Sequence, residues 1–152
     1  MKEELSFDKN RIIIRDKLEF VGQRRINMWF YIMMFICNLL IPIVMLICGF
    51  FMSKYPPKEI NGIIGYRTTM SRKNMDTWKF AHDYCGKLWL KLGLLLLIPT
   101  IIIQIPFSHS SENAIGYMTL IVEGIQLVAI LGSIVFVERA LKKTFDEHGV
   151  RR

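Results

Sequence analysis

Residues 26–53 read INMWFYIMMFICNLLIPIVMLICGFFMS, 28 consecutive positions without Asp, Glu, Lys or Arg. At about 1.5 Å of rise per residue such a helix reaches roughly 42 Å, more than the roughly 30 Å hydrocarbon core of a bilayer. The run is apolar all round: Ile32-Met33-Met34-Phe35-Ile36 leaves no polar face. That is the pattern of a helix surrounded by lipid, whereas a helix at the edge of a soluble core carries a stripe. A cleavable signal peptide fits poorly, because the run follows 25 largely charged and polar residues and ends in Met52-Ser53-Lys54-Tyr55 without a small-residue cleavage site.

Working outward, two more blocks have the same character. Leu92–Ser111 is free of Asp, Glu, Lys and Arg, and between Ala114 and Val137 the only charge is Glu123. The chain of 152 residues is 52% hydrophobic and 22% charged. It therefore reads as an all-α membrane protein with three transmembrane helices, at about 27–52, 88–107 and 115–141. The six residues Ser108–Asn113 between the last two predict an antiparallel hairpin. Residues 1–25 form a basic segment in which Ile14, Leu18 and Val21 share a helical face, which suits either a short helix on the membrane surface or a loosely held tail. Residues 142–152 read as a basic C-terminal tail.

The net charge of +7 invites a nucleic-acid partner, but its distribution points to the bilayer. Lys and Arg number 7 before the first span, 8 in the first loop, none in Ser108–Asn113 and 5 in the tail. Basic flanks are what topogenesis and anionic headgroups require. Placing the first loop and the tail inside puts 13 of these charges in the cytoplasm against 7 outside, so the reading is N-out and C-in in a cell membrane. Arg24-Arg25, next to the first span, pull the other way. The three cysteines form no CxxC pair and no metal-ligand spacing with histidine, so neither disulfide, metal nor cofactor is expected.

Polar residues inside the spans are few. Asn38 lies four residues before Pro42, where proline removes a backbone hydrogen bond, so it marks either a hinge or a packing kink. Gln104 closes the second span ahead of Pro106. In the third, Thr119, Glu123, Gln126 and Ser133 recur at offsets of 4, 3 and 7, on one helical face. Glu123 is then either an ion- or ligand-contacting carboxylate or a structural hydrogen-bonding group that meets Gln104, Asn38 or the interface.

The longest polar stretch, residues 53–87, carries the recognition chemistry. Pro56-Pro57 stop the first helix, while Asn61-Gly62 and Gly65 supply turn positions. These present Tyr66 and Arg67 beside the Thr68 hydroxyl. A planar guanidinium there suits a carboxylate, a lipid phosphate or the carbonyl end of a helix. Ser71 to Asn74 offer a helix cap, and Trp78, Ala81, Cys85 and Leu88 then fall on one face, with Lys79, His82, Asp83 and Lys87 facing elsewhere. This predicts an amphipathic interfacial helix between the first and second spans, with Trp78, Tyr84 and Trp89 at headgroup level. No nucleophile–base–orienter arrangement is readable, so no catalytic residue is assigned.

The run Pro56-Pro57, Asn61-Gly62, Gly65-Tyr66-Arg67-Thr68, Ser71, Asn74, Thr77-Trp78 and Ala81-His82, set before a span, resembles the signature of the SdpI/YfhL family of small bacterial membrane proteins. The resemblance implies a three-span domain over residues 26–141 and a non-enzymatic role. The family's best-known member is a six-span immunity protein against a secreted toxin that also sequesters a repressor at the membrane. This chain matches the motif-bearing part and has no room for further N-terminal spans, so the resemblance implies immunity, or a related envelope role, more than signalling. The expected binding residues are Asn61, Gly65, Tyr66, Arg67, Thr68 and Trp78, with a peptide, a lipid or another membrane protein as partner and an oligomer as an option. A small ion-coupled transporter using Glu123 is the alternative.

Overall fold

The structure is a computed structural model that describes the backbone of residues 2–152 and the side chains of residues 11–152. The described residues form three α-helices: α1 (Lys2–Lys54), α2 (Met75–Gln104), continued by a 3₁₀ turn (Ile105–His109), and α3 (Glu112–Thr144). Each holds a stretch long and apolar enough to cross a membrane. Among the described residues there is no strand, only an isolated antiparallel bridge between Phe145 and Arg151. The large apolar side chains that face outward, such as Leu40 and Ile47 on α1, Leu95 and Ile102 on α2, and Leu120 and Val128 on α3, are those a bilayer would cover.

The breaks fall where proline and capping chemistry put them. Lys54 ends α1 ahead of Pro56-Pro57, and Pro106 tightens the end of α2 into the 3₁₀ turn. Asn74 caps α2: its side chain accepts from the Asp76 and Thr77 N–H groups while Thr77 Oγ1 accepts from the Asn74 N–H. The amphipathic interfacial helix expected between the first and second spans is not a separate element here. It forms the first turns of α2, because no proline and no turn pair interrupts the ladder between Asp76 and Lys91. The N-terminal segment likewise continues directly into the first span as α1.

Glycines set the α1/α2 contact. A Cβ on Gly49 would stand 2.9 Å from the Gly86 carbonyl oxygen, and one on Gly86 would stand 2.6 Å from the Ser53 nitrogen and 2.7 Å from the Gly49 oxygen. Without a hydrophobic drive between helices in lipid, such backbone approach is what holds two spans together.

The C-terminal residues depart from the expected tail. Past Thr144 the chain turns back: Phe145 is buried edge-on against Phe80, 5.4 Å between ring centroids, and Asn74 Nδ2 donates to the Gly149 carbonyl at 2.7 Å. The Asp146 carboxylate accepts from the N–H groups of His148 and Val150, and Gly149 takes φ +82 to close the turn. The charges of 142–152 mark a basic tail, but the apolar Phe145 side chain draws the segment back onto α2.

Candidate functional site

The loop over residues 55–74 is built by side chains bonding to backbone. Asn61 Oδ1 accepts from the N–H groups of Ile63 (3.0 Å) and Ile64 (2.9 Å), an Asx turn that reverses the chain. Gly65 then adopts φ +109, and a Cβ there would overlap the imidazole of His82. Glycine is thus required twice, by conformation and by space. His82, fully buried, accepts the Tyr66 N–H at Nε2 (3.1 Å), and its Nδ1 lies 2.7 Å from the Trp78 carbonyl. These partners assign the neutral tautomer with its proton on Nδ1. Arg67 donates from Nη1 to the Gly62 carbonyl, closing the turn from the far side. The Ser71 hydroxyl sits within hydrogen-bond distance of the Tyr66 and Thr68 carbonyls, and the Thr68 N–H donates to it at 2.8 Å.

Two expectations change. Trp78, placed among the binding residues and at headgroup level, is fully buried: its ring packs 4.3 Å from that of His82, and its Nε1–H donates to the Pro57 carbonyl. It fastens the loop from beneath. His82, assigned to the outer face for its polarity, lies inside. Its spacing of 4 after Trp78 and 3 before Cys85 is the buried stripe itself, and periodicity outweighs residue type where a partner is at hand. Asn61 is likewise consumed by its turn.

Gly65, Tyr66, Arg67 and Thr68 come together on the rim of a groove of about 520 Å³. Its walls are the end of α1 (Cys48, Phe51, Met52), Cys85 and Trp89 of α2, and Ile130 and Ile134 of α3. The Tyr66 hydroxyl crosses it to reach Glu138 Oε1 (3.2 Å) and the Ile134 carbonyl (3.3 Å), tying loop to α3. Burial, with the neighbouring Glu138 carboxylate second, pushes the Tyr66 phenol well above its ordinary range, so it remains a donor. Trp89 Nε1–H donates to Ser133 Oγ of α3 at 3.0 Å. Ser133 and Glu138 thus hold the lining residues Trp89 and Tyr66 without lining the groove themselves, and only Ser133 lies in the stripe read from the sequence.

Deeper in the bundle, Asn38, Gln104 and Gln126 meet, one from each helix. Asn38 Nδ2 donates to Gln104 Oε1 (2.9 Å) and Thr119 Oγ1 (3.2 Å); Gln126 Nε2 donates to Thr100 Oγ1 and to the Asn38 carbonyl, both at 3.0 Å. That carbonyl is the one Pro42 leaves without an intrahelical donor, so Gln126 replaces the lost bond from another helix. Asn38 Oδ1 and Gln126 Oε1 are buried without a protein partner among the described residues. Glu123 stands apart from this cluster. At about 100° per residue it lies about 60° around α3 from Gln126, which turns it half-buried into a second groove, against Phe30, Met34 and Cys37 of α1.

Fold and site together define a class: a multi-pass membrane protein whose described residues form three long helices, the first two joined by a basic loop that closes a groove. Within that class, the chain belongs to the SdpI/YfhL protein family, whose model matches residues 58–137. The match covers the loop, α2 and most of α3, in agreement with the motif. It is also 36% identical over 53 residues to the Bacillus subtilis (strain 168) protein called "Uncharacterized protein YfhL". That stretch is 35% of this chain and 48% of the relative, so the match spans about half of the relative's length. No solved structure matches.

Proposed function

We propose that this protein is a non-enzymatic bacterial membrane protein that provides immunity or resistance to a toxic peptide, or a related envelope function, by recognition through the Asn61–Trp78 loop. The observation that carries the reading is the groove whose rim gathers Gly65, Tyr66, Arg67 and Thr68, the residues on which the family resemblance rests. A guanidinium fixed by its own turn, above an apolar trough, is suited to hold one end of an amphipathic partner. The first turns of α2 support interfacial placement: Lys79 and Lys87 are exposed there while Trp78, Ala81 and Cys85 are buried. The charge balance favours N-out and C-in, with loop and C-terminus in the cytoplasm. The test is expression in a toxin-sensitive strain; survival above empty vector that falls with Arg67→Ala supports the reading, and survival equal to empty vector at confirmed membrane expression counts against it.

A second reading rests on Glu123, a carboxylate at membrane depth in its own groove between α1 and α3. There it would serve an ion-coupled carrier. Proteoliposome flux that Glu123→Gln leaves unchanged removes that reading.

A further inference from the structure

The groove beneath the loop has the division of an amphiphile. Its walls, among them Phe51, Trp89, Ile130 and Ile134, stand on membrane-spanning helices, whereas Arg67 and Thr68 stand on its rim outside them. Arg67 is exposed and spends Nη1 on the Gly62 carbonyl, leaving the other N–H groups of the guanidinium. Thr68 Oγ1 accepts from the Ser71 N–H and keeps its hydroxyl proton to donate. The carboxylate that reaches this region from α3, Glu138, is engaged by the Tyr66 hydroxyl. The connection from Lys54 to Lys91 carries eight basic residues against Glu59, Asp76 and Asp83. A peptide backbone laid in such a trough would bring amides for which apolar walls have no partner, whereas an acyl chain brings none.

We propose that the groove binds an anionic phospholipid, one acyl chain lying along Phe51, Trp89, Ile130 and Ile134 and the phosphate held by Arg67 with Thr68 beside it. This deepens the recognition reading above, on which it rests, by naming the ligand class.

Trp89 lines the groove and reports on it. The full-length chain, with the exposed Trp29 replaced by Phe, is placed in phosphatidylcholine vesicles containing a minor share of chain-brominated phosphatidylglycerol or chain-brominated phosphatidylcholine. The Trp89 signal is the difference from the same chain carrying Trp89→Phe. Brominated phosphatidylglycerol should quench with about fivefold apparent preference, the advantage of one cation meeting an anionic headgroup. Arg67→Ala should abolish the preference and Arg72→Ala should keep it. Arg67→Gln, which retains a donor for the Gly62 carbonyl, serves if the alanine variant misfolds, and should also abolish it. Equal quenching by the two lipids overturns the proposal, and so does a preference that survives Arg67→Gln. The survival assay on the same variants separates this inference from the reading beneath it. Survival that requires Arg67 with no lipid preference overturns the lipid site and leaves recognition standing; a preference that requires Arg67 with survival unaffected does the reverse.

Discussion

At the scale of single residues, the loop is specified by a few atoms that have no substitute. Gly65 combines a positive φ with contact against His82, so Gly65→Ala must either move the loop or displace the imidazole. An L-residue in that conformation costs about 1–3 kcal/mol before the steric overlap is added. Thermal unfolding in detergent should therefore show a marked fall in midpoint for Gly65→Ala and little change for Gly62→Ala, because a Cβ at Gly62 meets nothing within 4 Å. His82→Ala removes the acceptor of the Tyr66 N–H and should cost about 1–3 kcal/mol. Arg67 and Arg72 differ in the same way. Arg67 donates to the Gly62 carbonyl, while Arg72 sits exposed three residues before the α2 helix, so Arg67→Ala should impair function or assembly more than Arg72→Ala at matched expression. Equal losses would mean that the loop acts through diffuse charge alone. Of these residues, Gly65 and Arg67 stood out in the sequence by turn chemistry. His82, which meets Gly65 and accepts the Tyr66 N–H, did not, because that role depends on a contact 16 residues away that no local pattern encodes.

At the scale of elements, the spans were legible because lipid imposes a simple rule: a charge-free run of sufficient length crosses. How the spans pack was less so. Gly49 and Gly86 sit 37 positions apart and carry no shared motif, yet they meet where the backbones of α1 and α2 come together. Gly86→Leu should separate the pair and abolish the native fluorescence of Trp89 three residues on, and Gly116→Leu on α3, whose Cβ would meet nothing within 4 Å, should leave it intact. The polar stripe on α3 was visible as spacing, but its resolution into Thr119, Gln126 and Ser133 inside and Glu123 at the edge required knowing which way the helix is rolled. Replacing Gln126 with Leu leaves the Asn38 carbonyl without any donor, since Pro42 has none to give. We expect a loss of about 1–2 kcal/mol, near the upper end for hydrogen bonds between membrane helices, measured by unfolding in detergent.

At the scale of the whole molecule, the two ends of the bundle are unlike. One end holds the loop, the groove and the folded-back C-terminus; the other holds the 3₁₀ turn and the short hairpin. The C-terminal turn joins the loop end through Asn74 and Phe80, and Asp146 is held below its ordinary carboxylate range chiefly by the Val150 N–H, with His148 adding to it. A depressed pKa contributes stability that is present above the unfolded value and is lost as pH falls through the folded one. The protection factor of the Val150 amide, exchange corrected for the intrinsic rate at each pH, should thus be high at neutral pH and fall below the ordinary carboxylate range, while protection in mid-α3 is retained. Sidedness follows from the same asymmetry. Three spans place Lys73 in the loop and Ser110 in the hairpin on opposite faces of the membrane, whichever way the chain inserts. Single cysteines at these positions, with Cys37, Cys48 and Cys85 replaced, should label reciprocally with an impermeant maleimide on intact cells. The balance of 13 basic residues against 7 predicts N-out, with the loop cytoplasmic and the hairpin external, so Ser110→Cys labels and Lys73→Cys does not. The opposite result would move the groove to the outer leaflet, where a secreted toxin meets it directly, and would assign Arg24-Arg25 the deciding role in insertion.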